Sequence, residues 1–238
     1  DFAKMALDVW NKSGVKPYVK QSSEDYTGAA YIFIEESSGD NAIIIAPGAA
    51  KKISAEDLQN RADLISKADV FVTQLEQPME AAVKGLEIAK AAGVKTILNP
   101  APAADLPDGM LELCDFITPN ETETEAITGV SVASIEDANN ASKVLKSMGV
   151  GTPIITLGEK GAYLYGHGLV EAFITGPVLE TTGAGDAFNG GFATALSEGM
   201  TSLEAVKMGC TTAGISVTRA GTAPSMPIRS EVDKLIYR

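Results

Sequence analysis

The sequence predicts a three-layer α/β/α fold, a mostly parallel central sheet covered by helices on both faces, with a small β lid. Three observations carry that expectation. From about residue 54 onward, short apolar runs alternate with helix-length amphipathic stretches, the pattern of a helix-covered parallel sheet. Those runs, such as Val70-Phe71-Val72, are apolar at successive positions, as strands buried on both faces are. Residues 29–45 break the rhythm with two strands around a polar turn, which fits an antiparallel extension over the sheet edge. At 238 residues, one large α/β domain over 1–238 is the expectation, with lid strands within about 18–45.

The elements follow in order. An amphipathic helix opens the chain and runs to about Ser13-Gly14, where Gly14 and Pro17 mark a break. Residues 18–20, 29–35 and 42–45 read as strands, with Ser37-Ser38-Gly39-Asp40-Asn41 turning between the last two. Ser54 and Asp57 have capping-box spacing, which predicts a helix to about Lys67. Residues 70–72 form a strand, and Pro78 opens a helix to about Ala92 that Gly93 stops. Buried strands follow at 94–98 and 116–117, then a helix over 120–128 ended by Gly129. A helix over 134–148, a strand at 153–157 and a hairpin of 162–165 with 169–173 come next. Helices at about 183–198 and 202–218 close the pattern, the second with Thr201 and Glu204 at capping-box spacing.

Bulk composition narrows the function classes. A hydrophobic share of 45% with 21% charged residues suits a globular protein with a sizeable core. The net charge of −12 argues against a nucleic-acid partner, which calls for a basic patch. Any phosphate site must then be built locally, from backbone N–H groups, helix ends and metal ions. Cys114 and Cys210 stand alone in apolar surroundings and read as reduced core thiols, which places the protein in the cytoplasm. No run approaches the ~20 apolar residues of a membrane span, and no signal peptide is recognisable. His167, the single histidine, sits between two glycines in a hairpin turn and reads as an exposed turn residue.

Chemistry concentrates in Glu180-Thr181-Thr182-Gly183-Ala184-Gly185-Asp186-Ala187-Phe188-Asn189-Gly190-Gly191. Gly183 and Gly185 permit tight turns and close ligand approach. Phe188, Phe192, Ala195 and Leu196 then fall on one helical face. A glycine turn opening a helix presents unpaired N–H groups and the positive dipole end, an anion site. It is no Walker A loop, because no Gly-Lys-Ser/Thr follows. Asp186 falls in the first helical turn, where a carboxylate can take a proton from an attacking hydroxyl. By itself it also reads as a favourable charge at a helix N-terminus.

The whole run closely resembles the signature of the ribokinase-like carbohydrate kinases. Further segments match that family in order: Gln74-Leu75-Glu76, Asn99-Pro100-Ala101-Pro102-Ala103, Ile117-Thr118-Pro119-Asn120-Glu121-Thr122-Glu123, Ile155-Thr156-Leu157-Gly158 and Val217-Thr218-Arg219-Ala220-Gly221. The resemblance implies an ATP-dependent sugar kinase that acts on a primary hydroxyl, with ribose as first choice. Fructose, deoxyribose, 2-keto-3-deoxygluconate or a nucleoside are alternatives, as is a binding protein without turnover, since fold never proves function. Gly183, Ala184 and Gly185 are then the anion hole and Asp186 the catalytic base.

The supporting residues carry two readings each. Asn120 and Glu123 have the spacing of a helix cap; the resemblance places Asn120 near ATP and Glu123 on Mg²⁺ through water. Thr156, Gly158, Lys160 and Gly161 follow a buried strand, where ligands bind in such sheets; the resemblance makes this the nucleotide loop, with Cys210 along the adenine pocket. Glu76 reads as a loop charge and, by resemblance, as a sugar contact beside Asp186. The family's monovalent cation, K⁺, implies ligands at Glu180, Thr182, Ser216, Arg219, Gly221 and Ser225, and Glu180 stands where the family has Asp. The resemblance also implies a homodimer formed through the lid. The chain begins at Asp1 rather than Met, and the resemblance implies that a first strand and a Gly-Gly-x-Gly-x-Asn sugar motif precede it. A chain lacking them is expected to be inactive alone.

Overall fold

The computed structural model describes residues 1–34, 41–173 and 175–236. A helix, α1 (Phe2–Lys12), leads into a two-stranded antiparallel sheet of β1 (Thr27–Ile34) and β2 (Asn41–Gly48). The expected turn of that hairpin lies outside the described residues. Two short helices, α2 (Ala55–Gln59) and α3 (Ala62–Ile65), precede the main sheet. Its strands are β3 (Val70–Thr73), β4 (Lys95–Leu98), β5 (Phe116–Ile117), β6 (Thr152–Thr156), β7 (Gly161–Leu164) and β8 (Gly168–Glu171), paired in that spatial order. The first four strands run parallel and the last two form an antiparallel hairpin at the edge. The crossovers are helical: α4 (Met79–Ala91) joins β3 to β4, and α5 (Glu121–Thr128) with α6 (Ile135–Ser147) joins β5 to β6. Three helices follow the hairpin, α7 (Ala184–Ser197), α8 (Ser202–Ser216) and α9 (Arg229–Ile236).

The strand period of two sorts consecutive residues to opposite faces. Ile97, Phe116 and Ile154 join the core beneath α7, α8 and α9, where Phe192 and Val206 are fully buried. Their neighbours Leu98, Ile117 and Ile155 join the other core, against Leu86 of α4 and Leu145 of α6. That sorting makes three layers from strands with no alternating pattern of their own. Phe192 meets Phe116 edge-on at 5.2 Å and stacks beside Phe188 at 6.0 Å, so α7 is locked to the middle of the sheet.

Helix caps read from spacing are present as geometry. Ser54 with Asp57, Asn120 with Glu123, and Thr201 with Glu204 each form a reciprocal capping box, as does Ser134 with Asp137. Each such cap contributes about 1 kcal/mol.

Three expectations need correction. Residues 18–20 form no strand. Lys20 Nζ instead pairs with Asp57 at 3.0 Å, and Tyr18 O accepts from Arg61 Nε at 3.3 Å, so side chains tether this segment where a ladder was expected. The single helix expected from 54 to 67 is broken at Asn60-Arg61 into α2 and α3. Helix α9 was not anticipated: only Val232 of it is buried, too little apolar periodicity to stand out.

Candidate active site

Parallel strands deliver their carboxyl ends to one rim, and α7 opens against it. The result is a cavity of about 610 Å³, the size of a small-molecule site. Gln74 and Glu76 reach it from beyond β3, Asn99 from β4, Thr118 and Asn120 from β5, and Thr156 with Gly158 and Gly161 from β6 and β7. The α7 mouth contributes Gly183, Ala184, Gly185 and Asp186, and α8 contributes Cys210. No described residue before Gln74 lines it. The β1–β2 hairpin therefore takes no part in the cavity wall.

Gly183 holds the N-cap position of α7 with φ +80°, a left-handed conformation that favours glycine. Ala184 N donates to Thr181 O at 3.1 Å and closes the entry turn. Among the described residues no protein acceptor takes the N–H groups of Gly183, Gly185 or Asp186. The free amides are thus those three; the amide of Ala184, expected in the anion hole, is already engaged. A Cβ built at Gly185 meets nothing within 4 Å, so the glycine leaves room for a ligand and not for a neighbouring side chain. Asp186 is exposed to the cavity, and its Oδ1 accepts from Gln74 Nε2 at 3.0 Å.

Asn120 and Glu123 serve as cap and cavity wall together. Glu123 Oε2 accepts from Asn120 N at 2.9 Å and Oε1 from Asn120 Nδ2 at 3.1 Å. Burial pushes the Glu123 carboxyl above its usual range, against the opposing pull of the Asn120 N–H. A buried carboxylate without a cationic partner among the described residues suits a hydrated cation. No group of three or more His, Cys, Asp or Glu among the described residues can hold a metal unaided. An ion here would draw its other ligands from phosphate and water. Cys210 is buried, and burial pushes its thiol up to about 12, which leaves it an inert wall residue.

Other candidates sit apart from the cavity. Lys160 ends the turn Gly158–Lys160 with its side chain exposed outside the lining. Glu180, Thr182, Ser216, Arg219, Gly221 and Ser225 are also outside it. They occupy two segments that the chain ties together: Leu179 N and Glu180 N both donate to Val217 O, at 2.8 and 3.2 Å. Gly221 N donates to Glu180 Oε2 at 2.8 Å. The longer carboxylate therefore reaches across and caps a backbone amide, with its second oxygen left free of protein donors among the described residues. The Ser225 hydroxyl donates to Thr222 O at 2.7 Å and keeps its oxygen lone pairs, and the Arg219 guanidinium pairs with Glu231; Arg219 offers a cation only its carbonyl.

Sequence reasoning named Asp186, Glu76 and the glycines, and missed four polar residues beside them. Gln74, Asn99, Thr118 and Asn189 form a connected set of hydrogen bonds around Asp186. All four lie within motif segments, so the signal was present. Their side-chain partners are distant in sequence, and nothing local reveals them.

Free amides at a helix mouth, with a carboxylate beside them on the wall of one cavity, suit the transfer of a phosphoryl group to a hydroxyl. Residues 1–229 match the family model described as pfkB family carbohydrate kinase. The chain is similar to a ribokinase of Haemophilus influenzae, 41% identical over 217 residues that make up 90% of this chain and 70% of the relative. It is 37% identical over 214 residues to a deoxyribokinase of Salmonella typhi, covering 88% of this chain and 69% of that one. Among solved structures it resembles Arabidopsis thaliana ribokinase complexed with ribose and ATP, with a TM-score of 0.86 and 31% identity over 94% of this chain and 74% of that one. The chain belongs to the pfkB family of carbohydrate kinases.

Proposed function

We propose that this protein transfers the γ-phosphoryl group of ATP to the primary hydroxyl of ribose, giving ribose 5-phosphate and ADP. The observation that carries the reading is the Asp186 carboxylate at a helix mouth whose Gly183, Gly185 and Asp186 amides are free. The carboxylate accepts the hydroxyl proton as the oxygen attacks the γ-phosphorus, and the bond to the β–γ bridging oxygen breaks in line. The free amides and the α7 dipole stabilise the charge on the migrating group. Glu76 accepts hydrogen bonds from the sugar, and Asn120, Thr156, Gly158 and Gly161 line the nucleotide path to which Cys210 adds an apolar wall. Lys160 acts at its mouth. Glu123 would hold the Mg²⁺ of Mg·ATP through water, and that ion supplies charge neutralisation on the phosphates.

Ribose fits because the ribokinase similarity spans nine-tenths of this chain. The deoxyribokinase relative favours a second reading, 2-deoxyribose. A panel of ribose, 2-deoxyribose and fructose separates the readings by kcat/KM, and faster turnover of deoxyribose would replace ribose in the assignment. K⁺ binding at the carbonyls near Glu180 belongs to the proposal, as does a cytoplasmic location; no helix among the described residues is long and apolar enough to cross a membrane. We read residues 1–238 as one domain with the β1–β2 hairpin as a lid through which two copies pair.

Asp186→Asn tests the base. Nucleotide binding by calorimetry is expected to survive, while kcat falls by about 10²–10⁴-fold, the usual worth of a general base. Unchanged turnover in this variant removes Asp186 from the mechanism.

A further inference from the structure

We infer that Gln74, Asn99, Thr118 and Asn189 are positioning residues that fix which oxygen of Asp186 receives the proton and tie that carboxylate to the free amides beside it. The inference rests on reading Asp186 as the base.

The argument starts from two backbone carbonyls, which can only accept. Asn99 Nδ2 donates to Thr118 O at 3.2 Å. That bond turns the Asn99 carbonyl oxygen outward, where it accepts from Gln74 Nε2 at 3.2 Å. The second proton on Gln74 Nε2 goes to Asp186 Oδ1 at 3.0 Å. From the other side, Asn189 Nδ2 donates to Gly185 O at 2.9 Å. Its Oδ1 then needs a donor, and Thr118 Oγ1 supplies one at 2.8 Å.

The chain of bonds runs from the carboxylate through the ends of three parallel strands and returns to the peptide just before Asp186. Each amide has one orientation that satisfies its partners. Asn99 and Asn189 are 7% exposed and Thr118 is 1% exposed, so water cannot replace a lost partner cheaply. Strand register supports the row, because Asn99 N donates to Thr73 O at 2.9 Å and Thr118 N to Leu98 O at 3.0 Å. Each strand hands its next residue to the neighbour's end.

The chemical consequence concerns direction. With Gln74 on Oδ1, Oδ2 is the oxygen without a protein donor among the described residues. It is the one that accepts the sugar proton. A misplacement of the base by about 1 Å costs on the order of 10²-fold in rate, so a network that fixes its rotamer acts on kcat more than on binding.

Thr118→Val in the full chain removes one hydroxyl and opens the network two links from Gln74. Expected are a fall in kcat of about 10- to 100-fold, sugar and ATP KM values within about twofold of the parent, and recovery by Thr118→Ser to within about threefold. Gln74→Met cuts the last link without touching a fully buried residue, and the double variant is expected to be no slower than the slower single. Losses that multiply, or a Thr118→Val enzyme with parental kcat, overturn the inference. Side-chain amide NMR decides independently of turnover. The Gln74 amide resonances are expected to shift in Thr118→Val, although the hydroxyl does not touch them, and resonances that stay in place overturn the inference. No turnover by the complete protein, while those resonances shift, would instead count against the kinase reading and leave the network standing.

Discussion

At the scale of the residue, the two glycines of the α7 mouth do different work. Gly183 is held at φ +80°, a conformation that costs other residues roughly 1 kcal/mol or more. Gly185 is not in that region, and its missing Cβ faces open space. Gly185→Ala is therefore expected to keep or slightly raise the melting temperature, since alanine is the better helix former by about 1 kcal/mol. Its methyl stands where a phosphate would approach, so KM for ATP rises and kcat falls, by about tenfold or more. Steady-state kinetics beside a thermal melt checks both halves, and parental kinetics would remove Gly185 from the phosphate path. That Asp186, Gly183 and Gly185 stand together was legible because one short segment holds them. The engagement of Ala184 N by Thr181 O was not, because it depends on how the entry turn closes.

At the scale of the element, the packing of α7 on α8 sets where the base stands. A Cβ at Gly209 of α8 would lie 2.9 Å from Phe188 O and 2.8 Å from Phe188 Cδ2. The backbone oxygen cannot give way as a side-chain tip can. Gly209→Ala is expected to cost about 1–3 kcal/mol, the usual range for overpacking. Because α7 carries Asp186, kcat drops with it. Urea unfolding and turnover measured on the same preparation test this, and full stability would mean that the helices part without strain. Capping boxes at Ser54, Asn120 and Thr201 were readable from spacing, since their partners are three residues apart. The break at Asn60-Arg61 and the helix α9 were not, because propensity does not report the tertiary contacts that end one helix and keep another.

At the scale of the whole molecule, the β1–β2 sheet leaves apolar side chains in solvent. Tyr31 is 60% exposed, Phe33 57% and Ile44 59%, and the register that pairs Tyr31 with Ile44 puts all three on one face. A two-stranded sheet is marginal by itself, and an apolar patch of this kind marks an interaction surface. Pairing of two copies through this lid is the arrangement proposed above. Ile44→Asp is then expected to shift the sedimentation of the protein from dimer to monomer. A parent that sediments as a monomer at micromolar concentration would sink the lid-pairing reading.

The sequence by itself determined the order of strands and helices from β3 to α8, the caps and the glycine–aspartate segment, because each of these is written in residues close together along the chain. Only the tertiary structure decided which polar side chains meet Asp186, which amides stay free, and that Glu180 spends an oxygen on Gly221. Those contacts join residues as far apart as Gln74 and Asp186. Hydrogen bonds depend on distance and direction in space, and spacing along a chain fixes neither until the sheet has brought the strand ends together.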